Sequence, residues 1–342
     1  MDFRISDDQR ALAEGVRAVL AGRLPLERIR ANESAPVAIS PEDWAVLGET
    51  GVFSLTVPEA DGGTGLALSD AVIVFEELGR ALVPGPLVGT FLAATAGVVE
   101  GAATGTVQVG VHGSGGEPIL VEHLASLDAL LLLSGLDRPS TARLLVPAPA
   151  TGAGTAISHP LDPLTPMWHL GTLEAGDPVA DVGTSLSRDG SLLTAALQVG
   201  HAAEVLDLAV AYAKERQQFG KPIGTFQAIK HLCADMLVRA EVARNAVQAA
   251  ACLIDSPDVV AAEAAGSGAS TDIVVARAVM GAKLLADEAA ITNARAAIQV
   301  HGGMGFTWEV PLHLHLKRAR VLATTFGTPA QLSAALADLA AG

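Results

Sequence analysis

The pattern of apolar and polar positions divides the chain into a helical, a strand-like and a second helical stretch. In the first 100 residues, apolar positions recur at helical spacing after capping residues such as Ser6 and Ser40. Between about 105 and 185, short apolar runs alternate with glycine, proline and aspartate, which is typical of short strands. We therefore predict an α+β protein with a helical domain at 1–104, a small middle β domain at 105–188 and a helical domain at 189–342.

The C-terminal domain is expected to be an antiparallel four-helix bundle, because its apolar faces are long and at least one connection is short. A segment rich in alanine, glycine and serine is predicted to be a loop between the second and third helices. The predicted helices run from Leu192 to Arg216, from Phe226 to about Leu253, from Ser270 or Thr271 toward Val300, and from Thr328 and Pro329 to near Ala341.

Composition narrows the classes of function. The net charge of -15 and the pI near 4.9 argue against nucleic acid and anionic membranes as partners. Cys233 and Cys252 give no disulfide framework, and no apolar run approaches the ~20 residues of a membrane span. With no signal peptide recognised at the start of the sequence, we predict a cytoplasmic protein. His313 and His315 lie two residues apart, on different helix faces, so no metal site is predicted.

Three segments carry candidate chemistry. Residues 216–227 read R-Q-Q-F-G-K-P-I-G-T-F-Q between two predicted helices, and their arginine offers a planar set of donors for a phosphate. Residues 299–306 read Q-V-H-G-G-M-G-F, where glycines let backbone amides approach a ligand, although such a run is more often only a helix end. Residues 325–328 read T-F-G-T.

The pattern R-x-Q-F-G-x-P-I-x-x-F-Q between two helices resembles the acyl-CoA dehydrogenase family of flavoenzymes. Residues 58–80 also resemble that family, with P-E-x-x-G-G-x-G-L followed by E-E-L-G-R. The resemblance implies the family's fold, FAD as cofactor, α,β-dehydrogenation of an acyl-CoA thioester to the 2-enoyl-CoA, and electron-transfer flavoprotein as the acceptor. In the family the turn reaches across a subunit interface to a neighbour's FAD. The cofactor-binding residues that it implies are Arg216, Phe219, Gln227, Gln299, Gly302, Gly303 and Thr328.

The sequence departs from the family where the chain's own active site is expected. The family's usual base is a glutamate that removes the α-proton, and Phe326 occupies that position. An arginine near acyl-CoA is replaced by Ser191, and the alternative glutamate position one residue earlier is Gly190. Asp189 is adjacent and is an alternative candidate for the base. Residues 109–117 lack the family's Thr-Glu-Pro beside the flavin ring.

These departures suggest a division of labour between two unlike chains. The resemblance extends to the shorter subunits of heterotetrameric α2β2 acyl-CoA dehydrogenases of actinobacterial steroid catabolism. It implies a longer partner subunit that supplies the base and binds the acyl-CoA. The acyl group of that substrate is expected to be a steroid or another bulky group. Two alternatives remain open: a self-sufficient homo-oligomeric flavoenzyme with Asp189 or His301 as its base, and a flavin-free scaffold or binding protein.

Overall fold

The computed structural model describes residues 5–114, 118–134, 141–179 and 182–341. The helices are α1 (Asp7–Arg23), α2 (Leu26–Arg30), α3 (Pro41–Glu49), α4 (Leu68–Arg80), α5 (Leu87–Thr95), α6 (Gly183–Glu215), α7 (Gln227–Ile254), α8 (Pro257–Ser267), α9 (Thr271–His301), α10 (Leu312–Leu322) and α11 (Pro329–Ala341). The strands are β1 (Val109–Ser114), β2 (Ile119–Glu122), β3 (Ala129–Ser134), β4 (Ala142–Leu145), β5 (Gly154–Ala156), β6 (Met167–Leu170), β7 (Asp177–Val179), β8 (Gln217–Gln218) and β9 (Lys221–Pro222).

The N-terminal helices begin where the capping residues predict. Ser6 and Gln9 form a capping box at α1, and Ser40 accepts a hydrogen bond from the third residue of α3, which starts with Pro41. The N-terminal end of α4 is capped from another domain instead. Both carboxylate oxygens of Asp255, at the end of α7, accept hydrogen bonds from the first two amides of α4, at 3.1 and 2.9 Å. This cap therefore ties the N-terminal domain to the bundle.

The middle domain consists of two small sheets. One has the strand order β1-β3-β4-β7, with β1 and β3 parallel, and the other has the antiparallel order β2-β6-β5. The apolar runs predicted as strands correspond to β1, β2, β3, β4 and β6. The sequence pattern did not indicate β5 and β7, because each has only three residues and neither is an apolar run.

The C-terminal part is built around α6, α7 and α9, with α10 packed against α6 and α9. Two predicted elements differ from the structure: the start of one helix, and a loop that contains another helix. Helix α6 begins at Gly183 rather than Leu192, because Leu186 is buried within a polar first turn, so the predicted domain boundary at 188 falls inside this helix. The segment predicted as a loop contains α8, whose Val260 and Ala264 lie one turn apart and bury against Leu253 and Val274.

A buried ion pair fixes the end of α10, just before the 325–328 segment. Lys283 on α9 pairs with Asp287 at 2.6 Å and donates a second hydrogen bond to the Leu322 carbonyl at 3.1 Å. Gln198 on α6 donates to Asp287 and to the Ala319 carbonyl, each at 2.8 Å. Two carbonyls near the end of α10, those of Ala319 and Leu322, thereby also accept hydrogen bonds from the neighbouring helices α6 and α9.

Within the described residues, one helical stretch, Ser185–Glu215, is long and apolar enough to cross a membrane by length and composition, and most of it is buried inside the protein. The segments Pro257–Ser267 and Thr271–Phe306 are long and apolar enough for a membrane span only if they are counted together, although the chain bends by 102° between them. A buried core helix of a bundle has this composition.

Candidate functional site

The turn after α6 is a tight hairpin that presents an aromatic ring to solvent. Strands β8 and β9 pair directly, and the two residues between them, Phe219 and Gly220, have φ angles of 53° and 77°. Two successive positive φ angles are typical of the type I′ hairpin turn. The Phe219 side chain is 91% exposed, and its ring makes only an edge contact with Phe226, at 6.1 Å between centroids. The hairpin thus holds a large apolar group away from its own core.

The second glycine-containing segment lies at the same end of the bundle as this hairpin. Tyr212, one turn before the end of α6, stacks on His301 at the end of α9, with ring centroids 4.1 Å apart. The two helices therefore end side by side. A Cβ added to Gly302 or Gly303 would meet nothing within 4 Å, so the backbone there is open. We call this end the clamp surface; it comprises Arg216, Phe219, Gln227, Gln299, Gly302 and Gly303.

The charge of the clamp surface contrasts with that of the chain. The hairpin and its flanks carry Lys214, Arg216, Lys221 and Lys230 against Glu215, in a protein whose net charge is -15. All five side chains are exposed, and helix α7 directs its N-terminal end toward the hairpin. An exposed ring, several cations and open backbone suit a planar, anionic ligand such as FAD.

The opposite end of α6 carries Gly190, the alternative position of a base in the family resemblance, and it lies close to Phe326, which occupies the usual one. A Cβ built on Gly190 would lie 2.2 Å from Cζ and 2.4 Å from Cε1 of Phe326, so the phenyl ring lies directly against this glycine. The two positions at which the family resemblance places a base are therefore in contact, and neither side chain can accept a proton. Thr328 lies at the start of α11. Its backbone amide and its hydroxyl both donate hydrogen bonds to Oε1 of Gln331, each at 2.9 Å.

The predicted cofactor residues therefore form two groups. At about 1.5 Å per residue along α6, the Gly190 end lies roughly 40 Å from Arg216. The structure brings six of the seven predicted residues together at the clamp surface and leaves Thr328 near the other end of the bundle. A single site within one chain does not contain both groups.

A small cavity lies next to Phe326, bounded by Thr325, Gly110, Thr194 and other residues of α5, α6 and β1. Its volume is about 50 Å³. Pockets that hold drug-sized ligands are typically several hundred Å³, roughly 300 Å³ or more. The cavity as it stands therefore does not accommodate an acyl-CoA.

Part of the cavity wall is a cluster of titratable side chains that the sequence pattern did not reveal. Arg318 on α10 forms an ion pair with Asp162 and donates to the Leu164 carbonyl at 3.3 Å and to the Val83 carbonyl at 3.2 Å. These contacts join all three domains. We call the set of Glu122, His123, Asp162, His201, His315 and Arg318 the junction cluster.

Burial sets the protonation states in the junction cluster. It raises the pKa of Glu122 to about 7 and lowers the pKa of His123 to about 3. It also lowers the pKa of His315 to about 3, with the charge of Arg318 as a second cause, and that of His201 well below its ordinary value. The three histidines are therefore neutral near pH 7.

The alternative bases lie elsewhere. Asp189 is half-buried and paired with Arg188 at 2.7 Å, and burial raises its pKa, yet it is not part of the cavity wall. It lies inside α6 rather than at a solvated helix start. His301 is at the clamp surface, where its Nδ1 donates to the Ala297 carbonyl at 2.8 Å. Ser191 is buried, and its hydroxyl has no partner among the described residues.

Part of the segment that lacks Thr-Glu-Pro forms β1, while residues 115–117 lie outside the described residues. His313 and His315, considered as metal ligands, point to different neighbours: Trp308 lies 4.3 Å from the first ring and His201 5.2 Å from the second, between centroids. Within the described ranges, no three potential ligand side chains of histidine, cysteine, aspartate or glutamate group together.

Comparison with known proteins agrees with this geometry. Residues 6–108 match the family model described as Acyl-CoA dehydrogenase, N-terminal domain, and residues 188–338 match Acyl-CoA dehydrogenase, C-terminal domain. The chain is 33% identical to the acyl-CoA dehydrogenase IpdE2 of Mycolicibacterium smegmatis, over 95% of this chain and 96% of that protein. The chain belongs to the acyl-CoA dehydrogenase family. The predicted α+β fold and the flavoprotein oxidoreductase class are thereby confirmed.

Solved acyl-CoA dehydrogenase structures show the same fold over nearly the whole chain. The ChsE4–ChsE5 complex from Mycobacterium tuberculosis matches with a TM-score of 0.81 and 22% identity, covering 100% of this chain and 99% of that one. A steroid acyl-CoA dehydrogenase described as Tcur3481–Tcur3483 matches with a TM-score of 0.79 and 24% identity, covering 99% of both chains. At this identity the match concerns the fold.

Proposed function

We propose that this chain is the subunit of an FAD-dependent acyl-CoA dehydrogenase that lacks its own base and completes the FAD site of a longer partner chain. One contrast carries the proposal: the clamp surface is open and exposed, whereas Phe326 lies against Gly190 beside a cavity of only about 50 Å³. The chain keeps what a neighbour's cofactor would contact and has lost what its own reaction would require.

In the assembled enzyme, bound FAD would accept the hydride from the β-carbon of the acyl-CoA. The residues of this chain bind and orient. Arg216 donates hydrogen bonds to phosphate oxygens, since its side chain is exposed and no carboxylate lies within ion-pair distance among the described residues. Phe219 covers an apolar part of the ligand and excludes water. The open backbone at Gly302 and Gly303 lets the ligand approach closely. The partner supplies the carboxylate that takes the α-proton.

Two observations support a heteromer and its substrate class. Both of the solved structures named above are described by paired chain names, and one is a steroid enzyme. We therefore favour an α2β2 assembly that acts on a steroid or another bulky acyl-CoA in the partner's pocket. Electron-transfer flavoprotein is the proposed electron acceptor.

The test is purification of the tagged chain from its native host, together with expression of the chain alone. Flavin absorbance, native mass spectrometry and acyl-CoA-dependent reduction of an artificial electron acceptor are measured on both samples. We expect the chain alone to be inactive and the co-purified complex to contain FAD and a longer second chain. Turnover by the chain alone at an ordinary enzymatic rate would contradict the proposal, and FAD-free complexes would favour a scaffold.

A matched pair of variants tests the clamp surface. Phe219→Ala removes a side chain that packs little against this chain, so we expect an unchanged unfolding midpoint but a lower FAD content of the complex. Leu161→Ala removes another exposed apolar side chain, in the middle domain, and we expect it to change neither quantity. Equal FAD content in both variants would remove Phe219 from the site. For the self-sufficient alternative, Asp189→Asn and His301→Phe should each abolish turnover by the isolated chain if that residue is its base.

A further inference from the structure

The segment that follows Gly303 exposes three large apolar side chains within five residues. Met304 is 38% exposed, Phe306 80% and Trp308 57%. We call these three residues the aromatic patch. Within the described residues, the exposed side chains of phenylalanine, tyrosine and tryptophan are Phe306, Trp308 and Phe219 of the clamp surface. The described part of the chain thus confines exposed aromatic rings to the two segments that follow α6 and α9.

The backbone below the aromatic patch is fixed by its neighbours. A Cβ added to Gly305 would lie 2.5 Å from the carbonyl oxygen of Ile298, so the segment lies directly on the last turn of α9. The Thr307 hydroxyl donates to the carbonyl three residues earlier at 2.8 Å, and Arg30 of α2 donates to the Trp308 carbonyl at 2.7 Å. A partner that covers the patch would therefore lose little binding free energy in ordering this segment.

The indole ring of Trp308 is oriented by two further side chains. The His313 ring contacts it edge-on, with 4.3 Å between centroids, and Nζ of Lys317 lies 4.4 Å from the indole centroid. More than half of the Trp308 side chain remains exposed despite both contacts. The ring thus has a defined orientation and still presents a large apolar surface to solvent.

The size and position of the aromatic patch indicate what covers it. Its three side chains expose on the order of 300 Å². Each side of a stable protein–protein interface buries about 800 Å², so the patch alone is too small to hold a second protein. Phe306 follows Gly303 of the clamp surface by three residues, which places their backbones within roughly 10 Å of each other. A molecule that presents FAD to those glycines therefore lies beside the patch, and the clamp surface adds area to the same contact.

Charge indicates the chemistry of the complementary surface. Lysine and arginine outnumber aspartate and glutamate in both 214–230 and 302–320, although the whole chain has a net charge of -15. A second copy of this chain, placed symmetrically on the same surface, would bring these like charges together. A different chain with acidic side chains around an apolar centre would not.

We propose that the aromatic patch binds the polypeptide of the longer partner chain, at an apolar surface bordered by acidic side chains. This inference rests on the proposed function and extends it: Phe219 and the glycines contact FAD, whereas Phe306 and Trp308 contact protein. Interface centres are enriched in tryptophan, phenylalanine and methionine, and a few such residues contribute most of the binding free energy. Loss of either ring therefore weakens association of the two chains without changing how FAD is held in the assembled complex.

Dissociation of the purified complex separates the two roles. Complexes of the tagged wild-type chain and its variants are purified from the native host, their dissociation on dilution is followed by mass photometry, and their FAD content is read from absorbance. Phe306→Ala and Trp308→Ala should each raise the Kd between the chains by roughly 10-fold or more, with FAD per complex unchanged. Phe219→Ala should lower the FAD content, and Leu161→Ala should change neither quantity.

Folding is controlled by conservative variants. Phe306→Leu and Trp308→Phe keep an apolar side chain at each position, so they should retain most of the association. All variants should unfold at the wild-type temperature, because the replaced side chains are largely exposed. An alanine variant that yields no complex but unfolds as the wild type does counts as lost association.

Tryptophan fluorescence reports directly on whether the patch is covered. The chain has three tryptophans, and Trp44 and Trp168 are only 2% and 6% exposed. Trp308 is therefore the one whose exposure changes on assembly. The difference in emission between wild-type and Trp308→Phe complexes should shift to shorter wavelength relative to the same difference for the free chains, and its quenching by acrylamide should fall several-fold.

Four results would count against the inference. An unchanged Kd in both alanine variants, with FAD present in the wild-type complex, would overturn the patch and leave the proposed function standing. A lower FAD content with unchanged association would place the rings on the cofactor instead. A homodimer of this chain that Phe306→Ala disrupts would identify a second copy as the occupant. A wild-type chain that yields no FAD-containing complex with a longer chain would overturn both the patch and the proposed function.

Discussion

Replacement of Gly190 by alanine tests the contact between this glycine and Phe326, on which the proposed loss of the base rests. The added methyl group would lie 2.2 Å from Cζ of Phe326, which is far inside van der Waals contact, so the ring must move. Overpacking of this kind costs about 1–3 kcal/mol. Alanine is favoured over glycine inside a helix by about 1 kcal/mol, which offsets part of this cost. We expect the net effect on the free energy of unfolding to be a loss of about 0–2 kcal/mol.

In the Phe326→Ala background, Gly190→Ala should raise the free energy of unfolding instead of lowering it. Phe326→Ala alone should destabilise the protein by less than the roughly 3–5 kcal/mol of a fully buried phenylalanine, since this ring is half-buried. In that background the methyl group at Gly190 meets no ring, so the helix preference of about 1 kcal/mol appears as a gain. The coupling energy between the two positions is therefore about 1–3 kcal/mol.

Urea denaturation followed by circular dichroism measures all four members of this cycle. Gly281→Ala, made in both backgrounds, is the matched control, because a Cβ at this glycine within α9 meets nothing within 4 Å. It should stabilise the protein by a similar amount in both. If Gly190→Ala changes stability equally with and without the ring, to within ~0.5 kcal/mol, the ring does not lie on Gly190 and the closed-site argument fails.

Further predictions concern the domain contacts. Asp255→Ala removes the cap of α4 and should cost about 1 kcal/mol in urea denaturation, whereas the exposed Asp258→Ala should cost little. Asp287→Asn leaves the buried Lys283 without its counter-charge and should cost about 3–5 kcal/mol, and Lys283→Met combined with Asp287→Leu should cost less. Burial raises the pKa of Glu122 to about 7, so its carboxyl is protonated in the folded protein at pH 5 and loses that proton as the pH rises to 7. The free energy of unfolding of the wild type should therefore decrease over this range. Glu122→Gln should lose about 2 kcal/mol less than the wild type, as measured by urea denaturation at both pH values. The cap would be contradicted if Asp255→Ala left the free energy of unfolding unchanged, and the buried ion pair if the single and the double variant at Asp287 lost the same amount. The raised pKa of Glu122 would be contradicted if the wild type and Glu122→Gln lost the same stability between pH 5 and pH 7.

Local signals predicted much of the fold. Ser6 and Ser40 cap the helices that the sequence assigned to them, and Ser270, one of two candidates, caps α9. A hydroxyl followed by a helical apolar period is a strong and local pattern. The start of α6 was misplaced because its first turns are polar and are buried only by tertiary packing. Helix α8 was missed because an alanine- and glycine-rich composition does not distinguish a short packed helix from a loop.

The site was predictable only where a motif was continuous in the sequence. Residues 216–227 and 299–306 carry recognisable patterns, and the structure places them at one end of the bundle. The contact between Gly190 and Phe326 joins residues far apart in the chain, and a glycine carries no signal of what lies over it. The junction cluster likewise brings together side chains from a strand end, a loop and two helices, and only the folded chain shows their proximity.

The length of α6 has a consequence for how such a protein evolves. Substitutions more than about 10 Å apart usually change stability independently, and the two ends of this helix are much farther apart than that. After a gene duplication, mutations could therefore erode catalysis at one end while selection continued to preserve recognition at the other. The separation of the two ends by one rigid helix thus allows one gene copy to lose catalysis and still bind the product of the other copy.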